Sequence, residues 1–112
     1  MGGFLIAATS ASADVPKPTA PVQGNLAESK QLAADAQAAI KDKNYRLALI
    51  KLKNAIQVAP SNHDARLQLS LVLFQTGDPA GAEREARVAR KGGAPDAIAL
   101  PILFRIMLAR RE

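Results

Sequence analysis

From Asn25 onward, apolar residues recur every three to four positions in blocks separated by short polar, glycine or proline breaks, the spacing of amphipathic helices. Five helices are predicted. The first runs from Leu26 to Asp42, with Asn25 as N-cap and Glu28 three residues on. Leu32, Ala36, Ala39 and Ile40 share one face, and alanines crowd the rest. Lys43-Asn44 breaks it. The second, Tyr45 to Ala59, turns Ala48, Leu52, Ala55 and Ile56 inward, extended by Leu47, Leu49 and Val58, and stops at Pro60. The third, His63 to Thr76, is capped by Ser61-Asn62. Leu67, Leu69, Leu71, Val72, Leu73 and Phe74 make it apolar almost all round, which predicts a central helix covered on more than one side. Gly77 fits the position just past its end. Asp78-Pro79 is a cap followed by a proline at the first helical position. It opens a fourth helix, Pro79 to Lys91, with Ala82, Ala86, Val88 and Ala89 inward and Glu83–Arg87 as an i,i+4 pair. Gly92-Gly93 ends that helix. A fifth, from Pro95 to Arg110, carries Leu100, Leu103, Phe104, Met107 and Leu108 as its stripe. Pro101 is expected to kink it or to mark its effective start.

The blocks repeat. Ala82 and Ala89 follow Ala48 and Ala55 by 34 residues, and Ala94-Pro95 falls where Pro60 would recur. A 34-residue period of paired helices resembles the tetratricopeptide repeat (TPR). Ala36, Ala48, Leu52, Ala55 and Pro60 match that pattern in a first unit of about 25–60. Leu69, Ser70, Leu73, Gly77, Asp78, Ala82 and Ala89 match it in a second of about 61–94. Leu100, Leu103 and Met107 match the first helix of a half unit over 95–112. Arg66 and Ala86 depart from it, where large apolar residues are common. The resemblance implies an all-α, right-handed helical-hairpin solenoid of about two and a half repeats. It also implies further repeats beyond Glu112 to cover the open Leu103, Phe104 and Met107 face.

Composition adds less. With no cysteine, the chain has neither a disulfide framework nor a thiol nucleophile. The formal net charge of +5 is spread over several helices and reads as a solvated face. No apolar run reaches the roughly 18 residues of a transmembrane helix. Phe4–Ala8 is a short apolar run, and Ala11-Ser12-Ala13 before Asp14 fits a small-residue cleavage pattern. Residues 1–13 therefore read as the remnant of a secretory signal, which implies an exported, periplasmic or envelope-associated protein. An ordinary N-terminal extension would leave it cytoplasmic. Residues 14–24, with three prolines, read as an extended leader. The Gly77–Glu83 string GDPAGAE and the late Pro101 resemble the N-terminal repeats of TPR proteins of bacterial exosortase (PEP-CTERM) systems. That likeness implies an exported scaffold linked to exopolysaccharide or surface-protein sorting. Many of that group look like lipoproteins with a cysteine after the signal, which this chain lacks.

Catalytic chemistry is not expected. His63 is the lone histidine, and a metal site needs three or four converging ligands. No phosphate-binding or dinucleotide-binding glycine loop occurs, and no serine has a triad partner. No catalytic residue, cofactor or metal is assigned. Nucleic acid would need basic residues interleaved with stacking aromatics. Lys51, Lys53, Arg87, Arg90 and Lys91 have only Tyr45, Phe74 and Phe104 near them in the helices, so nucleic acid is not the expected partner. A protein or peptide partner remains. By the family pattern the first helices of successive units line a groove, whose expected partner-facing residues are Gln37, Lys41, Leu67, Gln68, Leu71, Phe74, Gln75 and Arg105. The positions of a chaperone-tail clamp hold Ala33, Gln37, Gln68, Ile98 and Ile102, so that clamp is absent. Repeat packing is assigned to Ala36, Ala48, Leu52, Ala55, Leu69, Leu73, Ala82 and Ala89. The expected function is a non-catalytic interaction scaffold. The alternatives are a regulatory TPR module of a larger enzyme and a basic polyanion-binding helical repeat.

Overall fold

A computed structural model describes residues 25–111. The signal-remnant and leader readings of residues 1–24 lie outside it, as does Glu112. Among the described residues the chain is all-α: α1 Leu26–Lys41, α2 Tyr45–Val58, α3 His63–Gln75, α4 Pro79–Lys91 and α5 Asp96–Arg110. The first three end a residue short of the sequence reading, because Asp42, Ala59 and Thr76 are C-caps. The fifth begins at Asp96, with Pro95 as its cap.

The helix starts are chemically alike. Asn25, Asn44, Asn62 and Asp78 each accept a hydrogen bond from the backbone N–H three residues on, at 2.9–3.2 Å. Each satisfies one of the donors a helix N-terminus leaves unpaired. Three helix ends are also alike. The N–H groups of Asn44, Asp78 and Ala94 donate to the carbonyls of Ala39, Leu73 and Ala89, five residues back, at 2.8, 2.8 and 2.9 Å. This is the Schellman closure, which needs a left-handed residue just before the donor. Lys43, Gly77 and Gly93 occupy that place at φ 60°, 94° and 116°. The turns at Asn44 and Asp78 are thus one geometry repeated 34 residues apart. Gly77 has nothing within 4 Å of where a Cβ would stand. Gly77→Ala should therefore cost about 1–2 kcal/mol from backbone strain alone, read as a lowered urea midpoint with unchanged slope.

Packing follows hairpin order. α1 pairs with α2 and α3 with α4. α2 meets α3, α4 meets α5, and the first helices α1, α3 and α5 touch in a row. Two cores result. One gathers Ala33, Ala36, Ala39, Ala48, Leu52, Ala55, Ala65, Leu69 and Val72 from α1, α2 and α3. The other gathers Leu67, Ala86, Ala89, Ala99 and Leu103 from α3, α4 and α5, with Ala94 from the turn before α5. Helix α3 contributes to both, as its all-round apolar surface predicts. Of the residues assigned to repeat packing, Ala36, Ala48, Leu52, Ala55, Leu69, Ala82 and Ala89 are buried. Leu73 is half-buried against the first core.

Three expectations fail. Leu47 and Val88, both expected inward, are exposed, because Ala48, Leu52 and Ala55 on α2 and Ala82, Ala86 and Ala89 on α4 already form the contact lines. On α5 the buried line is Ala99, Leu103 and Ile106, while Leu100, Phe104, Met107 and Leu108 are exposed. The largest side chains do not mark the inner face, since close helix contact selects small ones. Pro101 lies inside α5 and so does not mark its start: Ile98 and Ala99 already donate to the Pro95 carbonyl one turn earlier. The missing N–H of Pro101 removes one ladder bond, to the carbonyl of exposed Ala97.

Candidate functional site

The row of first helices leaves a groove between α1 and α3. Tight turns on each hairpin set α1 and α3 side by side, so residues one or two turns apart on both helices face the same hollow. The deeper part, about 230 Å³, is walled by Gln37, Ile40, Tyr45, Gln68, Leu71 and Gln75. It continues along the helices past Lys30, Ala34, Asn62 and Asp64. Gln37 and Gln68 belong to both stretches and make them one surface. Leu71 is 37% exposed at its centre. The Oε1 of Gln68 is closed to water and has no hydrogen-bond partner.

The expected groove residues separate in three dimensions. Gln37, Gln68, Leu71 and Gln75 come together. Leu67 does not join them: it is 4% exposed and packs in the second core against α4 and α5. The arrival of a third unit covers it. Phe74 and Arg105 pair with each other, the guanidinium lying 5.8 Å from the ring centroid, and so bridge α3 to α5 beyond the hollow. Lys41 is exposed at the end of α1 and lines neither stretch. Tyr45 is an addition. It belongs to a second helix, which the repeat pattern places away from the groove. Being the first residue after the Asp42–Asn44 turn, it lies beside the end of α1.

Apart from Lys30 and Asp64 on the outer stretch, charge sits elsewhere. Arg66 donates to Glu85 at 3.0 Å between α3 and α4, both half-buried. Its long side chain fills the place where the repeat pattern has an apolar residue. At the far end, Glu83 receives Arg87 at 2.7 Å and Arg110 at 2.6 Å. The hydrogen bond from Arg87, then that from Arg110, holds the Glu83 carboxyl below its ordinary value of 4.5. A carboxylate depressed in the folded state stabilises it above the unfolded value and loses that contribution as pH falls through the folded one. The amides of Ile106–Arg110 should therefore exchange with solvent faster as pH drops below 4.5, after correction for intrinsic rates. Glu83→Gln should exchange without that pH dependence.

Among the described residues no three of His, Asp and Glu converge as metal ligands, and no helix is long and apolar enough to cross a membrane. His63 pairs loosely with Asp64, 3.7 Å away, at the start of α3. The groove can do one kind of chemistry: bury a small apolar group on Leu71 and Ile40 while amides on both walls hydrogen-bond polar groups beside it. The chain matches no protein-family model and no curated protein, which leaves the geometry of the groove to carry its assignment.

Proposed function

We propose that the chain is a TPR-type, right-handed helical-repeat scaffold, non-catalytic, that holds an extended peptide segment of a partner protein in the groove between α1 and α3. The observation that supports this is the convergence of Gln37, Gln68, Leu71 and Gln75 from two helices on one hollow. A peptide group that leaves water needs a hydrogen-bond partner, and side-chain amides on both walls can supply it. Gln37 and Gln75 stand on either side with donors and acceptors for further peptide groups, and Leu71 and Ile40 offer the apolar floor. No Asp, Glu, Lys or Arg lines the stretch around Leu71, so the favoured segment is uncharged where it meets Leu71. The resemblance of the Gly77–Glu83 string and Pro101 to exosortase-system repeats, with the signal-like residues 1–13, supports a role in the bacterial envelope, associated with exopolysaccharide or surface-protein sorting.

Selection from a random peptide display library tests the groove. Selected peptides should lose binding to Leu71→Lys and to Gln68→Ala, with the helical circular dichroism of both variants intact. Peptides that bind both variants as well as the native chain would remove the groove as the site. Loss of helicity in Leu71→Lys would make Leu71 a core residue instead. For the envelope, an antibody raised against this chain should detect the protein in the periplasmic or envelope fraction of the cells that make it. Recovery in the cytoplasmic fraction removes the export reading.

A further inference from the structure

The outer faces of the second helices carry one constellation twice. On α2 it is Arg46, Ile50 and Lys53, and on α4 it is Arg84, Val88 and Lys91. In each, an aliphatic residue stands four positions after one cation and three before the next, a spacing that puts all three on one helix face. All six are exposed, Ile50 to 52% and Val88 to 43%. Their exposure does not depend on where the chain stops. Ile50, Asn54 and Gln57 remain exposed with α3, α4 and α5 stacked on α2, and Arg84, Val88 and Lys91 stand 34 residues after them. A following unit would therefore leave them open as well.

The face is also free of counter-charge. Among the described residues Arg46, Lys53, Arg84 and Lys91 pair with no carboxylate. Helix α2 contains no acid, and Glu83 and Glu85 of α4 are held by Arg87, Arg110 and Arg66. Helices α2 and α4 lie on the same side of the row α1, α3, α5, because their hairpin turns are one geometry repeated. From that side α2 closes the crease between α1 and α3 with Ala48, Leu52 and Ala55, so the α1–α3 groove opens on the other. Helices α2 and α4 do not touch one another. A partner that meets both triplets must span two separate rods, which a plane does without a matching shape. An aliphatic side chain between two cations suits the boundary of headgroup and acyl chain: the cations reach lipid phosphates and the aliphatic group leaves water. A linear polyanion gives Ile50 and Val88 no apolar contact.

We propose that this second-helix face is a peripheral contact for an anionic lipid surface. Ile50 and Val88 dip into the interface, and Arg46, Lys53, Arg84 and Lys91 meet lipid phosphates. It is a site distinct from the α1–α3 groove, which it leaves facing away from the bilayer.

The test uses the 112-residue chain and phosphatidylcholine vesicles with or without phosphatidylglycerol. Cosedimentation should show binding at least about tenfold tighter to the anionic vesicles, a gap that salt narrows. Arg46→Gln with Lys53→Gln should weaken that binding at least about tenfold. Lys30→Gln with Lys41→Gln, the same charge change on α1, should weaken it no more than about twofold. Ile50→Ser with Val88→Ser should weaken it several-fold at unchanged charge. These residues are all exposed, so the variants should keep their helicity. A second measurement reads placement directly. The chain has no tryptophan, so Val88→Trp reports its own surroundings. Its emission should shift to the blue on anionic vesicles, and that of Leu71→Trp in the groove should not. The lipid assignment is overturned by equal binding to the two kinds of vesicle, or by equal losses from the α1 and α2 charge pairs. It is overturned by a shift in Val88→Trp no larger than that in Leu71→Trp. Binding indifferent to every variant, as binding through Phe4–Ala8 would be, overturns it too. Tighter binding to soluble polyglutamate, unmoved by Ile50→Ser with Val88→Ser, would assign the face to polyanions instead.

Discussion

Leu52→Ala should lower the unfolding free energy by about 2–5 kcal/mol. Leu52 is fully buried in the first core, and Ala36, Ala48, Ala55 and Ala65 in the same cluster are fully buried too. Alanines have no rotamer with which to fill the hole, so the cavity term is kept almost whole. Domains of this size hold about 5–15 kcal/mol in all, which makes this one change a large fraction of the total. Urea denaturation reads it as a fall in midpoint at constant slope. Leu47→Ala on the same helix is the internal reference. Leu47 is 39% exposed and lies outside the first core, so its loss should be well below that of Leu52, about 1 kcal/mol. Equal effects from the two variants would mean that α2 does not turn its Leu52 face to α1 and α3.

The second large effect concerns polar atoms. The Ser29 hydroxyl donates to the Ala55 carbonyl at 2.6 Å and accepts from the Asn62 side-chain amide at 2.9 Å. Asn62 in turn caps α3. Three helices meet in this chain of bonds, and Ser29 and Asn62 are both buried. Ser29→Ala leaves the Asn62 amide without its acceptor and the Ala55 carbonyl with only its helix bond. The expected cost is about 1–3 kcal/mol, several times that of an exposed serine. Because Ser29 belongs to the first hairpin and Asn62 to the second, the loss falls on the joint between them. A double-mutant cycle with Asn62→Ala should show a coupling of at least about 0.5 kcal/mol. Additive losses would mean that the two residues act separately.

Ser29 also marks where sequence reading stops. A serine one turn into an alanine-rich helix looks like any other small residue. It becomes structural only when the Ala55 carbonyl of another helix arrives above it. Leu67 and Leu71 make the same point in the apolar range. Both lie on one face of α3 at i,i+4, and nothing local separates them. Leu67 is covered because α4 and α5 close over it, while Leu71 stays open beside α1. The α1–α3 groove was half legible for that reason. The glutamines and Leu71 followed from repeat register. The withdrawal of Leu67, the pairing of Phe74 with Arg105 and the arrival of Tyr45 depended on how the units stack.

What the chain settles by itself is local and periodic: five helices, their asparagine and aspartate caps, the glycine-compatible turns, and a 34-residue spacing of alanines that turn inward. These follow from hydrogen bonds and side-chain spacing within a dozen residues. What only the tertiary structure decides is which apolar side chain stays in water. Lys43 holds a left-handed turn that glycine would suit better, and on α5 small Ala99 is buried while Phe104 stands exposed. Helices approach as closely as their smallest facing side chains permit. The inner face is therefore chosen by the pair in contact, and a single strand of sequence contains only one side of each pair.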